Sequence, residues 1–467
     1  MSTFSGLSGA LTGLQAARRG LDVTGQNIAN ANTEGYTRQR VEQQSIGAPT
    51  TPALWSTYDG PGQGVQVTGV QRLADDFLTA RARTEASTLA EMAGRQSTLG
   101  AVESAFGEPG DTGWASQLSD LWSAWHDVAN RPGDLASRSQ LLARTSTAAD
   151  GLRAAHTKLD AQWTGQREQL TTSIASVNTT AANVAELNQA ILRSTQAGIP
   201  VNELADQRDL LITALAKATG AVARPGADGT VDVYLGGIAL VRGNEAETLQ
   251  ITGAASMTDF RSGSSPAVSV SFVSSGMVAA MGGDAGARVE ALGATIPDYA
   301  DRLDVVAASL VSAVNAAHTA GYDLDGNAGA NMFNPGATAK DIAGLLSDPR
   351  KVAASLQAPS PTPSLDGSNA AVLAEIGRST SGPDSTYRQL VVDLGAAAQT
   401  ANRRTDIQSV VAAGAEASRE AAAGVNTDEE MVNLLSYQRA YEAAARVITS
   451  IDEALDVLIN RTGLVGR

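Results

Sequence analysis

STFSGLSGALTGLQAARRGLDVTGQNIANANT, residues 2–33, carries a heptad stripe of Leu7, Leu14, Leu21 and Ile28, with Phe4 and Leu11 interleaved at 3/4 spacing. That pattern predicts a long amphipathic helix. At the far end VNTDEEMVNLLSYQRAYEAAARVITSIDEALDVLIN, residues 425–460, repeats the device with Leu434, Tyr441, Ile448 and Leu455, interleaved with Tyr437, Ala444, Ile451 and Leu458. Each stripe requires a partner surface. Chain ends ordinarily fray, so matched interaction surfaces at both ends mark a protein that assembles through them. Leu7, Leu11, Leu14, Leu21, Ile28, Leu434, Tyr441, Ile448 and Leu455 are expected to carry the packing of these helices.

The first helix also contains Gly6, Gly9, Gly13, Gly20 and Gly25. Each glycine costs a helix about 1 kcal/mol relative to alanine, so roughly 5 kcal/mol opposes it in isolation. Gly6, Ala10, Gly13, Ala17, Gly20 and Thr24 form a small-residue seam beside the leucine stripe, along which another backbone can approach closely. Two readings follow. The helix is buried within its own chain, or it orders only when neighbouring copies pack on it, as in coupled folding and binding.

Working inward, Thr33-Glu34-Gly35 supplies the helix exit, with Gly35 suited to a left-handed conformation. Residues 36–69 hold Pro49, Pro52 and Pro61 and read as a loop with a hairpin, in which Gly64–Thr68 alternates like a strand. Helical patterns follow at 71–106 and 114–130. Arg131-Pro132-Gly133-Asp134 interrupts them, and a much longer pattern runs to about Thr195, then another over 201–219. In residues 220–285 Val231, Val233 and Leu235 alternate, Gly236-Gly237 offers a two-residue turn, and Ile238 and Leu240 alternate after it, the mark of a hairpin. Helices resume at 286–320 and 384–423, separated by a turn-rich stretch at 321–337 and the Pro/Ser segment 358–363. Thr427-Asp428-Glu429-Glu430 has the capping-box form that opens the last helix.

The expected fold is mainly α with a small β insert. Residues 1–45 and 425–467 form a coiled-coil-like terminal domain, 46–219 and 286–424 a bundle of long helices with a loop and hairpin, and 220–285 the inserted β-rich domain.

Composition narrows function. The 467 residues are 43% hydrophobic, enough for a real core, and only 4% aromatic, which favours closely packed helices over cores built on large rings. A net charge of -15 repels phosphate backbones and anionic membrane surfaces, so neither nucleic acid nor membrane is an expected partner. The chain has no cysteine, which excludes disulfides, thiol catalysis and Cys-zinc sites. The start lacks the basic run and apolar block of a cleavable secretory signal, and no stretch reaches the ~18 apolar residues of a membrane span. His126, His156 and His318 are scattered and read as ordinary helix residues. Asp323-Leu324-Asp325-Gly326-Asn327 resembles the start of a calcium loop. It has Ala328 at the sixth position and Asn334 at the twelfth, where such a loop needs Gly and Glu, so it reads as a polar turn. Gly60-Pro61-Gly62-Gln63-Gly64 precedes a strand and not a helix, so it reads as a turn and not a phosphate cradle. No catalytic, cofactor or metal site is expected. An enzyme oligomerised by its terminal coils would instead need a cleft of convergent polar residues in the helical interior.

The stretch Asn27-Ile28-Ala29-Asn30-Ala31-Asn32-Thr33-Glu34-Gly35-Tyr36-Thr37-Arg38-Gln39 resembles the N-terminal signature of flagellar rod, hook and hook-associated proteins. Gly424 to Leu434, with Gln438-Arg439-Ala440-Tyr441, resembles their closing helix. The middle is similar to the hook-associated protein 1 (FlgK) family at Asn202 to Leu211, from Val314-Asn315-Ala316-Ala317-His318 to Phe333, at Ala339 to Ala343 and at Ser347 to Arg350. The resemblance implies a non-enzymatic junction between bacterial hook and filament. It also implies secretion in an unfolded state through the flagellar type III export apparatus, a cytosolic export chaperone, and an extracellular array of like subunits beside hook protein and a second junction protein. A hook or distal-rod component is the alternative. Asn30, Asn32, Gly35 and Tyr36 are expected to fix the turn leaving the first helix.

Overall fold

The computed structural model describes residues 3–47, 62–111, 113–357 and 365–461, with side chains described from Gly6 to Ile459. Pro49, Pro52 and Pro61, the Pro/Ser segment, the tail 463–467 and the Phe4 side chain lie outside those residues.

The fold is mainly helical. Helix α1 (Thr3–Ala29) leads into the hairpin β1 (Gln39–Ser45) and β2 (Val65–Arg72), antiparallel with a bulge between Glu42 and Gln43. Next come α2 (Asp76–Phe106), α3 (Trp114–Asn130), α4 (Leu135–Gln196) and α5 (Asn202–Thr219). The β-rich part is the four-stranded meander β3 (Val222–Pro225), β4 (Val231–Leu235), β5 (Ile238–Arg242) and β6 (Glu245–Ala246), then the pair β7 (Leu249–Thr252) and β8 (Ser269–Phe272) around the one-turn α6 (Met257–Arg261). Helices α7 (Gly283–Glu290), α8 (Ile296–Thr319), α9 (Ser368–Ala374), α10 (Pro383–Ala423) and α11 (Thr427–Asp456) follow, and a π turn, Val457–Arg461, ends the described chain.

Local chemistry sets the boundaries. Asp75 starts α2 by accepting from Leu78 N, and Asp134 starts α4 by accepting from Ala136 N and Ser137 N just after the Pro132-Gly133 break. Gly107 and Gly220 end α2 and α5 in the left-handed region. Gly236 and Gly237, at φ 57° and 87°, make the tight β4–β5 turn. One boundary differs from expectation: α11 is capped by Asn426, whose Oδ1 accepts from Asp428 N and Glu429 N, and Thr427 is already the first helical residue.

At 62 residues α4 is about 93 Å long and acts as the spine. Asn178 and Asn188 face the β strands from it. Asn178 exchanges two hydrogen bonds with the Leu249 backbone, and Asn188 exchanges two with Val231 and donates a third to Gly243 O. Helices α2 and α10 pair antiparallel, with Gln408 bonded to Glu85 at one end and Tyr387 to Glu108 at the other. Four aromatics meet where α2, α3, α8 and α10 cross. Trp114 meets Tyr387 edge-on at 4.7 Å, and Phe106 lies 6.5 Å from Tyr299. Large rings therefore do anchor the core, despite their rarity in the sequence. Between α7 and α8 the chain makes one π turn, Ala291–Thr295, where the buried Trp163 Nε1 donates to Leu292 O at 2.9 Å.

His318 is fully buried. Its Nδ1 bonds Ala330 O at 2.5 Å and its Nε2 accepts from Ala353 N at 2.9 Å, so the ring is neutral and ties two loops to α8. The Asp323 turn closes on itself. Asp323 Oδ1 accepts from Asp325 N and Asn327 N, while Arg350 and Lys351 hold the Asp325 carboxylate.

Candidate assembly site

The two terminal helices run antiparallel against each other. A Cβ on Gly6 would stand 3.4 Å from Ile451 Cδ1, and one on Gly20 would overlap the Tyr437 ring at 2.6 Å. Ala16, Ala17, Gly20, Val23, Thr24 and Asn27 form the buried face of α1. The small-residue seam is thus used within the chain: α11 comes close at Gly6 and Gly20, and Ala17 and Thr24 of the same seam are buried. Gly9, Gly13 and Gly25 have open space where a Cβ would project. The leucine stripe flanks this seam. Leu7, Leu14, Leu21 and Ile28 are half-buried and Leu11 is exposed. On α11, Leu434, Ile448 and Leu455 are half-buried and Tyr441 is exposed.

Where α1 ends, a buried polar cluster joins the ends to the interior. Asn27, 1% exposed, uses its full amide valence. Its Nδ2 donates to Gln39 O at 2.9 Å and Glu430 Oε2 at 3.0 Å, and its Oδ1 accepts from Gln39 N at 3.0 Å and Tyr36 OH at 2.8 Å. Glu430 is 2% exposed and pairs at its other oxygen with Arg38, at 2.7 Å. Arg38 also pairs with Glu429, and its backbone N donates to Ala423 O. This is a buried charge with both a counter-charge and hydrogen bonds, the arrangement that offsets desolvation.

A second layer comes from α5 and β2. Asp206 accepts from Thr37 N at 3.1 Å and pairs with Arg72 at 2.7 Å; Asp209 pairs with Arg72 and Arg83. Asn202 bonds Gln39 Oε1 and Val70 O. Arg208 turns the other way, to Asn188 Oδ1 and Gly229 O, and so links α5 to the spine and the β strands. Burial pushes the Asp206 carboxyl up despite Arg72, while Arg83 and Arg72 hold Asp209 down against the effect of its own burial. Burial, with Asp206, Glu203 and Glu430 nearby, pushes the Tyr36 phenol up to about 12, so it remains a proton donor to Asn27.

The exit-turn residues are placed as follows. Asn30 donates to Gln26 O and accepts from Thr33 Oγ1. Gly35 sits at φ 81° against Leu210, and Asn32 is exposed. Sequence reasoning missed the centre of the cluster: Asn27, Arg38 and Glu430, with Asp206, Asp209, Arg72 and Arg83 behind them. One signal was available. Asn27 lies on the same helical face as Gly20 and Thr24, and Glu430 one heptad before Tyr437, so each is a polar residue on a buried face. Glu430 is not a capping-box side chain; it is the buried anion of this cluster.

Residues 99–333 match the family described as flagellar hook-associated protein FlgK helical domain, half of the chain. The chain belongs to the FlgK family. The ends of this FlgK-family chain match two wider groups, the flagella basal body rod protein over residues 7–37 and the flagellar basal body rod FlgEFG protein C-terminal over 419–461, the segments that hold Asn27 and Glu430. Flagellar hook-associated protein 1 of Bacillus subtilis is 29% identical, each chain covered in full. The protein of the same name from Salmonella typhimurium is 28% identical over 70% of this chain, which spans 59% of that relative's length. The flagellar hook junction protein FlgK from Burkholderia pseudomallei shares the fold, with a TM-score of 0.62 at 15% identity over 74% of this chain and 100% of that one. The FlgK-family chain is thus an axial component of the bacterial flagellum and comes from a structural, not an enzyme, family.

Proposed function

We propose that this chain is the structural adaptor joining the flagellar hook to the filament, a secreted protein that assembles through its terminal helices. One observation carries the reading: two end segments of the kind shared by axial proteins meet through Asn27 and Glu430, 403 residues apart, and are fastened to a long-helix interior of FlgK type. Residues 1–45 with 425–467 are the assembly domain, and the stripes Leu7–Ile28 and Leu434–Leu455 support its packing. The chain leaves the cell unfolded by type III export, escorted by a cytosolic chaperone. A cysteine-free chain with a glycine-weakened first helix suits that route. Outside it packs beside hook protein, further copies of itself and a second junction protein, and performs no catalysis.

Immunogold labelling of intact flagella tests the placement. Label confined to the distal end of the hook is the expected result. Label along the whole hook would replace this reading with that of a hook or distal-rod component.

A further inference from the structure

We propose that the outer face of the first turns of α11 docks into the groove between α2, α5 and α10 of a second copy of this chain. The inference rests on the assembly reading and names the surfaces that meet.

Met431, Val432 and Leu435 are 52%, 67% and 50% exposed, a cluster of large apolar side chains at one end of a helix. They are not part of the contact with α1. Glu430, Tyr437 and Ile451 make that contact, and at about 100° per residue each of the exposed trio lies more than about 120° around the helix from the mean direction of those three. The heptad stripe of α11 is thus turned toward its own chain, and its opposite side is left over for another copy.

The receiving surface is a groove of about 630 Å³. Its floor is small and apolar, with Ala82, Ala86 and Ala90 from α2 and Ala412 and Ala413 from α10. Small side chains on two antiparallel helices leave a trough in which a third helix can lay a ridge. The chain's own α11 does not fill it. That helix is tied to α1 and Arg38, and its outer trio stays exposed.

Charge favours this occupant. Residues 427–435 contain three acids and no base; Glu429 and Glu430 pair with Arg38 of their own chain, and Asp428 stands exposed at the helix start. The groove is lined by four cations, Arg72, Arg83, Lys217 and Arg419, against the three anions Glu34, Asp209 and Glu416, with Lys217 exposed at the rim. Asp206 and Asp209 hold Arg72 and Arg83, and Glu416 holds Arg419, so the exposed Lys217 at the rim is the cation placed to meet Asp428 when the apolar trio enters the trough. Because the two surfaces differ, the contact is heterologous. Repeated without closure it propagates as a helix of subunits.

The absence of cysteine makes the test clean. The full chain carrying Val432→Cys and Ala90→Cys is expressed in place of the natural one, and isolated flagella are oxidised. The expected result is a ladder of covalent dimers and higher species on a non-reducing gel, lost with either single variant. A second pair, Leu435→Cys with Ala86→Cys, repeats the test at neighbouring positions. Flagella that contain both double variants yet show no ladder would overturn the docking while leaving the junction reading standing. A ladder instead from Val432→Cys with Ile407→Cys, on the opposite, exposed face of α10, would overturn it too. Absence of the natural chain from the hook–filament region would overturn the parent reading independently. If neither cysteine pair is incorporated, Val432→Asp decides. Its incorporation should fall at least ten-fold with hydrogen exchange of the monomer unchanged, and wild-type incorporation would refute the contact.

Discussion

Replacing Asn27 with alanine should release both terminal helices from the rest of the molecule. The substitution removes two hydrogen bonds to the Gln39 backbone, one from Tyr36 and one to the buried Glu430 carboxylate. Neutral bonds are worth about 1 kcal/mol each, and the bond to a charged group about 2 kcal/mol. The Gln39 peptide is left with unsatisfied groups in a buried setting. Allowing for a water molecule entering the space, the loss is about 4 kcal/mol, or on the order of 1,000-fold in the local opening equilibrium. It should fall on the terminal pair and not on the core around Leu118, Leu159 and Trp163, because that hydrophobic core contains no residue of α1 or α11 and separately packed regions open separately. Hydrogen exchange read by mass spectrometry is the assay. Amides of residues 6–45 and 427–450 should lose protection on the order of 1,000-fold, or to their unfolded rates, while α3 and α4 stay unchanged. A drop under about three-fold in α1 and α11 would refute the idea that Asn27 couples them.

Further outcomes are expected. Gly20→Ala should cost about 1–3 kcal/mol, because its Cβ overlaps the Tyr437 ring. Gly13→Ala, with open space, should gain about 1 kcal/mol from helix propensity; urea unfolding followed by exchange in α1 separates them. Arg208→Lys should cost about 2 kcal/mol, since the shorter lysine side chain does not carry its nitrogen to the place where Nη1 alone bonds both Asn188 and Gly229; urea denaturation reads it. In alkali, the folded state keeps the Tyr36 phenol protonated above its unfolded value near 10. The stability it contributes is complete below about pH 10 and lost as pH rises toward about 12, which the difference in phenolate absorbance against Tyr36→Phe should show. In acid, burial lowers the His318 pKa, so stability is complete above about pH 6.5 and falls as pH drops below it, a trend that His318→Gln should flatten in denaturation curves taken across that range.

Most helices were legible because their apolar spacing is regular and their ends carry chemistry that acts locally. The run from Leu152 to Ile191 at 3/4 steps, bounded by Pro132-Gly133-Asp134, became the spine α4. The Gly236-Gly237 turn was readable for the same reason. Strand β1 was not. Gln39–Ser45 has a single apolar residue, Val41, and becomes a strand only because β2 pairs with it and Asn27 holds its first peptide. The polar cluster was hidden for a related reason. Asn27 and Glu430 lie 403 positions apart, and no spacing rule connects them. Glu430 also sits where a capping box would place an acid, so a local explanation competed with the tertiary one. The seam shows the opposite case: its small residues were visible, but whether they admit the same chain or another one depends on the path between the ends.

Whether the filament is built upon this chain is decided by deleting its gene and imaging the cell surface. Complete hooks with no filaments, and filament subunits released into the medium, are expected. Filaments of normal length on the deletion strain, or cells that lack hooks altogether, would contradict the junction reading.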